Sequence, residues 1–362
     1  RQFVSTYDET VLPEKLKETV DQKLEEVKIC DPAIGSGAFP MGLLKELYAC
    51  RKAIEGIDDD TAVSIKTHII QNNIYGVDIE KGAVDIARLR FWLALIVDER
   101  DPHALPNMDF KIMQGNSLLE QYEGVELSGI SIDEQKKRKT KKGQLWQATL
   151  AFDEKYALDN IQSAIKKYYL TNDYNAKPNL RSIINENVRN YIINLKGCTP
   201  DVQRKIEQLP IPNDKFFLWH IYFKEVFDKG GFDIVIGNPP YIDSETMVKV
   251  MPNQRELYAK NFICASGNWD MFIVFIELGI SLLKEKGIFS NIMPNKLIAA
   301  KYGIELRKHL SLRHILEIRD YSRIDVFEDA AVYPITIVLR NDDSKDNTLF
   351  TIMNNRVDVK QS

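Results

Sequence analysis

Val27-Lys28-Ile29-Cys30-Asp31-Pro32-Ala33-Ile34-Gly35-Ser36-Gly37-Ala38-Phe39 is the stretch on which the fold turns. The apolar run from Val27 to Cys30 predicts a short buried strand, and Gly35 and Gly37 predict a tight turn that lets backbone approach a ligand closely. A helix is expected next, through Met41, Leu44, Leu47 and Tyr48. Strand, glycine turn and helix make up one half of a mononucleotide-binding α/β sheet. Upstream, Leu12, Leu16, Val20, Leu24 and Val27 recur at helical spacing, so an amphipathic helix leads into the strand.

The ligand follows from Asp31. A pyrophosphate cradle wants bare backbone N–H groups. Here a carboxylate stands at the mouth of the turn and the third glycine of the dinucleotide fingerprint is missing. A negative charge there repels phosphate and favours a cation such as the ammonium or sulfonium of S-adenosylmethionine; the plainer alternative is a βα turn with a capping Asp. A second predicted strand, Asn73 to Ile79, ends in Asp78, whose carboxylate can accept two hydrogen bonds from a ribose diol. Asp31 and Asp78 lie further apart than the usual ~20 residues, so an enlarged connection is expected between them. Within it, Asp58-Asp59-Asp60 reads as a solvated turn. The helix Ala83 to Val97 is apolar nearly all round and is expected to be packed core. Phe110 to Ser117 reads as a third strand and turn, with Asn116 able to give and accept hydrogen bonds to an adenine.

A further strand, Phe232-Asp233-Ile234-Val235-Ile236-Gly237, runs into Asn238-Pro239-Pro240-Tyr241. Two prolines cannot continue a strand, so the chain must leave the sheet at Asn238 in a stiff loop that carries an amide and an aromatic ring. In open α/β sheets that edge binds ligands. Beyond it, Asp243 to Asn268 reads as a polar loop overhanging this edge. Asp270 is expected to cap a helix that Gly287 ends, and Ile288 to Met293 to form the fifth strand. A helix over 302–310 and a strand over His314–Ile318 follow. Val332–Leu339 is expected to pair with Leu349–Met353 as a terminal antiparallel hairpin.

Composition narrows the class. With 44% hydrophobic and 28% charged residues over 362 positions, the chain has the make-up of an ordinary globular protein. No apolar run reaches the roughly 18 residues of a membrane-spanning helix. Cys30, Cys50, Cys198 and Cys264 are scattered, and the five histidines form no cluster, so a cytoplasmic setting without a metal site is expected. A net charge of −4 leaves any nucleic acid to a local patch. The run Lys136 to Lys142 either contacts phosphates or is simply solvated. Three parts are expected: an N-terminal helix and cofactor-binding half over 1–119, a mainly helical insertion over 120–228, and a target-binding half over 229–362. Arg1 in place of Met suggests a piece of a longer polypeptide.

Taken together, Asp31–Gly37, Gly76-Val77-Asp78-Ile79, Asn238–Tyr241, Gly287–Pro294 and Val326–Ala330 resemble the γ-class adenine-N6 DNA methyltransferases, in particular the methylase portion of fused type II restriction–modification enzymes. The resemblance implies an α/β, Rossmann-like sheet with flanking helices, and S-adenosylmethionine held by Asp31, Pro32, Ala33, Gly35, Gly37, Asp78 and Ile79, with Asn116 and Asn238 in contact. It implies that Asn238, Pro239, Pro240 and Tyr241 take a target adenine flipped out of duplex DNA, and that Phe327 stacks on the base opposite Tyr241. As a plain structural residue Phe327 would anchor its loop to the core. It also implies further domains in the same polypeptide, for target recognition or cleavage. Two features depart from the family. Its Tyr-Thr-Pro opening is reduced to Glu9-Thr10, and the chain ends soon after the Phe327 region, with no target-recognition domain or nuclease motif expected in it, since Asp153-Glu154-Lys155 lacks the partner acid and strand of a nuclease. Similar tetrads occur in methyltransferases of RNA and of a protein glutamine, and a degenerate scaffold would be marked by loss of Asp31, Asp78 or Asn238.

Overall fold

The computed structural model describes residues 2–55, 59–97, 108–127, 152–171, 173, 175–324, 326, 333–344 and 346–354. They divide into two compact units, one made of Arg1–Gly76, Gly82–Ile112 and Gly231–Ser362, the other of Val77–Lys81 and Met113–Gly230.

The sheet has ten strands' worth of material in two pieces, of which the larger holds β1 (Ile29–Asp31), β2 (Ile74–Asp78), β3 (Ile112–Gln114), β6 (Phe232–Gly237), β7 (Leu283–Pro294), β8 (His314–Asp320), β9 (Pro334–Arg340) and β10 (Leu349–Ile352). Their order is β10-β8-β9-β7-β6-β1-β2-β3. The pairs β1/β2, β1/β6 and β6/β7 are parallel, with Cys30 opposite Val235 and Gly237 opposite Asn291. Parallel strands need covered faces. Ile29, Ile34, Leu44, Ile69, Ile74, Phe91 and Ile112 form one buried cluster beside β1 and β2. Phe289 on β7 packs where Gly279 of the helix Phe272–Ser281 leaves room.

The chain reaches β1 through the helix Glu14–Glu26, with Pro13 just before it. The enlarged connection between Asp31 and Asp78 is the helix Ala38–Glu55, a second helix Asp59–His68 and a π-helical turn Ile69–Asn73. Asp59 and Asp60 therefore open a helix, not a turn; Asp58 lies outside the described residues. The buried Asn73 amide donates to the carbonyls of Leu24, Glu25 and Val27 at 3.2, 2.9 and 2.7 Å. It satisfies carbonyls at the C-terminal end of the helix Glu14–Glu26, which have no partner inside it.

Further expectations change. The antiparallel element near the C-terminus is present, but β9 lies between β7 and β8 and runs antiparallel to both, while β10 joins the outer edge of β8 in parallel. A strand between two others satisfies its backbone on both sides, which pairing with the short β10 alone would not do. The segment 243–268 is not a loop: it holds the helices Ser244–Val250 and Pro252–Asn261, the first capped by Asp243, which accepts from the Thr246 N–H at 2.9 Å. Asp270 does not cap the helix Phe272–Ser281. Its carboxylate takes the Ser244 N–H at 3.2 Å and the Tyr302 hydroxyl at 2.7 Å, so it ties two other segments together. That helix ends at Ser281, and β7 starts at Leu283, so Gly287 lies inside the strand. Finally, the helix Lys81–Ile96 buries Val84, Ala87, Phe91 and Leu95 but leaves Ile86, Leu89, Leu93 and Ile96 about half exposed. One helix face meets one sheet; among the described residues no layer covers its apolar back.

The second unit is a helical assembly with a small antiparallel pair, β4 (Gln121–Tyr122) and β5 (Val125–Glu126). The helices Phe152–Leu170 and Lys177–Ile193 pack together, and Pro200–Gln208 joins the latter, capped by Thr199. Phe217, Trp219 and Phe223 form an aromatic knot, with Phe217 and Trp219 ring centroids 4.8 Å apart. Lys136 to Lys142 lie outside the described residues. Among the described residues no helix is long and apolar enough to cross a membrane, and no cluster of side chains is arranged to hold a metal ion.

Candidate functional site

The exit of β1 is built from a buried acid and bare backbone. Asp31 is 3% exposed, and its Oδ1 accepts from the Ala33 N–H at 3.0 Å, so the carboxylate folds back over Pro32 and Ala33. Gly35 and Gly37 sit at φ +53° and +82°, the left-handed region that costs any other residue strain. A Cβ on Gly37 would come within 3.1 Å of the Ala87 Cβ, so glycine also lets the turn pack on the helix Lys81–Ile96. A Cβ on Gly35 would meet nothing within 4 Å: the backbone there faces open space.

The exit of β6 lies against the first. A Cβ on Gly237 would stand 2.7 Å from Asp31 Oδ1, so glycine is what allows the carboxylate to rest against β6. The next residue, Asn238, has a buried side-chain oxygen with no hydrogen-bond partner among the described residues. An orphaned buried acceptor costs about 1–3 kcal/mol. Pro239 and Pro240 stiffen the backbone behind it. Tyr241 donates its hydroxyl to the Ile292 carbonyl at 3.1 Å and meets Phe272 edge-on, ring centroids 6.4 Å apart. Burial pushes its phenol pKa up, so the hydroxyl keeps its proton and stays a donor. The loop is thus pinned to β7 at its aromatic end, while the amide end is left with an unused acceptor.

One residue escaped the sequence reading. Asn291, 2% exposed, lies opposite Gly237 on β7, and its side-chain oxygen is also buried without a partner. The only signal for it was an amide interrupting the run Ile288 to Met293.

Asp78, Ile79 and Asn116 belong to the second unit, where the residues just before Asn116 are bonded to Asp78 and Ile79. The Gly115 N–H donates to the Asp78 carbonyl at 2.8 Å, and the Gln114 side chain to the Ile79 carbonyl at 3.2 Å. The Asp78 carboxylate accepts from the Glu80 N–H at 3.0 Å, and the buried Asn116 oxygen from the Leu118 N–H at 3.1 Å, each closing its own turn. Ile79 is 39% exposed. Thr10, at the divergent N-terminal motif, gives both its N–H and its hydroxyl to Asp8. Phe327 lies outside the described residues.

A buried carboxylate beside backbone that faces open space fits a cationic cofactor with a flat polar body, and it does not fit a pyrophosphate. The donor set at the β1 exit therefore matches S-adenosylmethionine, for which Asp31, Gly35 and Gly37 would form the holding surface.

Comparison with known proteins bears on the same residues. The chain is 29% identical over 376 aligned positions to a protein of Methanocaldococcus jannaschii provisionally named a type II restriction enzyme and methyltransferase, covering 91% of this chain and 31% of that one. It is 32% identical over 120 positions to the type II restriction enzyme and methyltransferase Eco57I of Escherichia coli, covering 33% of this chain and 12% of that protein. The chain thus spans less than a third of the length of these relatives. Among solved structures, a nuclease-deletion mutant of the Type ISP restriction–modification enzyme LlaGI in complex with a DNA substrate mimic aligns over 96% of this chain and 24% of its own, at 15% identity and a TM-score of 0.49. Residues 72–327, most of the chain and including Asp78 and the tetrad, match one family throughout: this protein belongs to the Eco57I restriction-modification methylase family, and its cofactor is S-adenosylmethionine.

Proposed function

We propose that this chain methylates N6 of adenine in duplex DNA, as a γ-class enzyme and as the modification part of a fused restriction–modification polypeptide. The observation that carries the reading is the orphaned Asn238 oxygen, buried at a strand exit beside Asp31 and backed by two prolines. The N6 nitrogen is a poor nucleophile, because its lone pair is delocalised into the ring. Accepting its two hydrogens, at the Asn238 side-chain oxygen and the Pro239 carbonyl, draws that lone pair out of conjugation. Neither acceptor is a strong base, and none is required if the proton leaves after transfer. S-adenosylmethionine supplies a methyl group already activated by its sulfonium. The protein's task is then to hold donor and acceptor in line, an effect that accounts for much of the rate in such reactions.

Tyr241 offers a ring face to a base swung out of the duplex, a contact worth ~1–3 kcal/mol. Its hydroxyl bond to Ile292 would fix the ring's angle before the base arrives. From the resemblance, Phe327 closes the other face. Asp78 is assigned to the ribose hydroxyls, and Asn116 to the adenine of the cofactor.

The test is tritiated methyl transfer to DNA, RNA and protein, followed by nucleoside analysis. Label in N6-methyladenine of DNA is expected. Label confined to RNA or to a protein glutamine would overturn the reading.

A further inference from the structure

Strand β7 leaves the sheet at Pro294 into an open cleft of about 500 Å³, lined by Asn295, Lys296, Ile298, Ala299 and Ala300. The Tyr241 hydroxyl is bound to Ile292, two residues before that exit, so the cleft continues the edge on which the tetrad sits. Its backbone is braced from both sides: the Asn295 N–H donates to the Tyr333 carbonyl at 2.8 Å, and the Arg307 guanidinium to the carbonyls of Leu297 and Ala300 at 2.7 and 2.9 Å.

Lysines of other helices differ from those at the cleft in their partners: Lys249, Lys260 and Lys308 each pair with a glutamate on their own helix, Glu245, Glu256 and Glu305, at 2.7 to 2.8 Å. Lys296, in the cleft wall, and Lys301, just beyond it, are exposed and have no carboxylate partner among the described residues. Two such ammonium groups on flexible stems suit a delocalised anion, and they lack the planar fork that would read a base edge. Exposed Ile298 and the small Ala299 offer an apolar surface of the kind a deoxyribose can rest on.

We propose that this cleft is a seat for the DNA backbone, in which Lys296 and Lys301 neutralise phosphodiesters next to the target nucleotide. The inference rests on the DNA reading above and deepens it. It holds the strand at the mouth of the site while the tetrad takes the base, and it is blind to sequence.

The experiment is duplex binding by fluorescence anisotropy as a function of salt, for the wild-type protein, for the double variant Lys296→Gln/Lys301→Gln and for Lys260→Gln/Lys308→Gln. Each phosphate neutralised contributes about 0.9 to the slope of log K against log salt. Removing the two free lysines should therefore lower the slope by about 2, and weaken target and non-target duplexes alike. Removing the two paired lysines should change it little, and Lys296→Arg/Lys301→Arg should keep it. Unchanged S-adenosylmethionine affinity by calorimetry certifies the fold of each variant. An unchanged slope in the first double variant, or a loss confined to one sequence, overturns the proposal while the DNA reading stands. A wild-type protein that neither binds nor methylates DNA overturns both.

Discussion

Strand β1 leaves the sheet through Asp31–Gly37 and strand β6 leaves it through Asn238–Tyr241, side by side, and they differ in chemistry at every point. The first exit is pliable and internally paired: two glycines at positive φ, and an acid already bonded to its own turn. The second is stiff and incompletely paired: two prolines, a pinned tyrosine, and an amide oxygen with nothing to accept from. A charged glycine turn can settle around a large cofactor that enters carrying its methyl group and leaves without it. A rigid, unsatisfied acceptor suits a group that must be gripped at one atom. Gly237 is where the two meet, because its missing side chain is the space that the Asp31 carboxylate occupies.

Substitutions can break this contrast, beginning with the largest expected effect. Asn238→Ala should lower kcat on DNA by about 10³-fold, the scale seen when a positioned polar group at a reacting centre is removed. S-adenosylmethionine affinity should survive, and rate with intact cofactor binding, measured by calorimetry alongside turnover, checks both. Wild-type turnover with saturating cofactor and DNA would remove Asn238 from the acceptor role. Asp31→Asn should do the reverse, weakening cofactor binding by about 10- to 100-fold, since hydrogen bonds to charged groups contribute about 1.5–3 kcal/mol. Equal affinity for the variant would leave Asp31 as a turn residue only.

Gly237→Ala probes the junction. The added methyl group would press on Asp31 Oδ1 at 2.7 Å, so a change on the acceptor strand should weaken the cofactor site. A several-fold rise in cofactor Kd is expected by titration, and an effect on turnover alone would separate the two exits. Asp78→Ala should also weaken the cofactor, by about tenfold, through loss of hydrogen bonds near 1 kcal/mol each to the ribose. Tyr241→Phe should have the smallest effect. It keeps the ring and removes one hydrogen bond of about 1 kcal/mol, which in a chain of this size lowers Tm by about 1 °C in a thermal melt.

Some of this architecture was legible residue by residue. The run Val27 to Phe39 declares a strand, a glycine turn and a helix, because apolar runs and positive-φ glycines act locally. Asn238-Pro239-Pro240 declares a strand exit for the same reason: proline removes donors and locks φ whatever surrounds it. The helices between 244 and 261 were hidden by their polar faces, which carry little of the apolar periodicity that marks a packed helix. Asp270 was misassigned because a carboxylate before an apolar helix looks like a cap until its partners, Ser244 and Tyr302, are brought in from elsewhere in the chain. The helix Lys81–Ile96 looked wholly buried because its composition cannot say that only one sheet is there to cover it.

By itself, then, the sequence determined what depends on neighbours along the chain: the strand, glycine turn and helix of Val27–Phe39 with their acid, and the proline-stiffened amide. Tertiary structure alone decided what depends on neighbours in space. It set β9 between β7 and β8, brought the Asp31 carboxylate against Gly237, placed Asn291 opposite that glycine, and left Lys296 and Lys301 without a carboxylate partner among the described residues beside the exit of β7. The physical reason is the range of the forces: backbone sterics act within a few residues, whereas burial and pairing are settled only when distant segments pack.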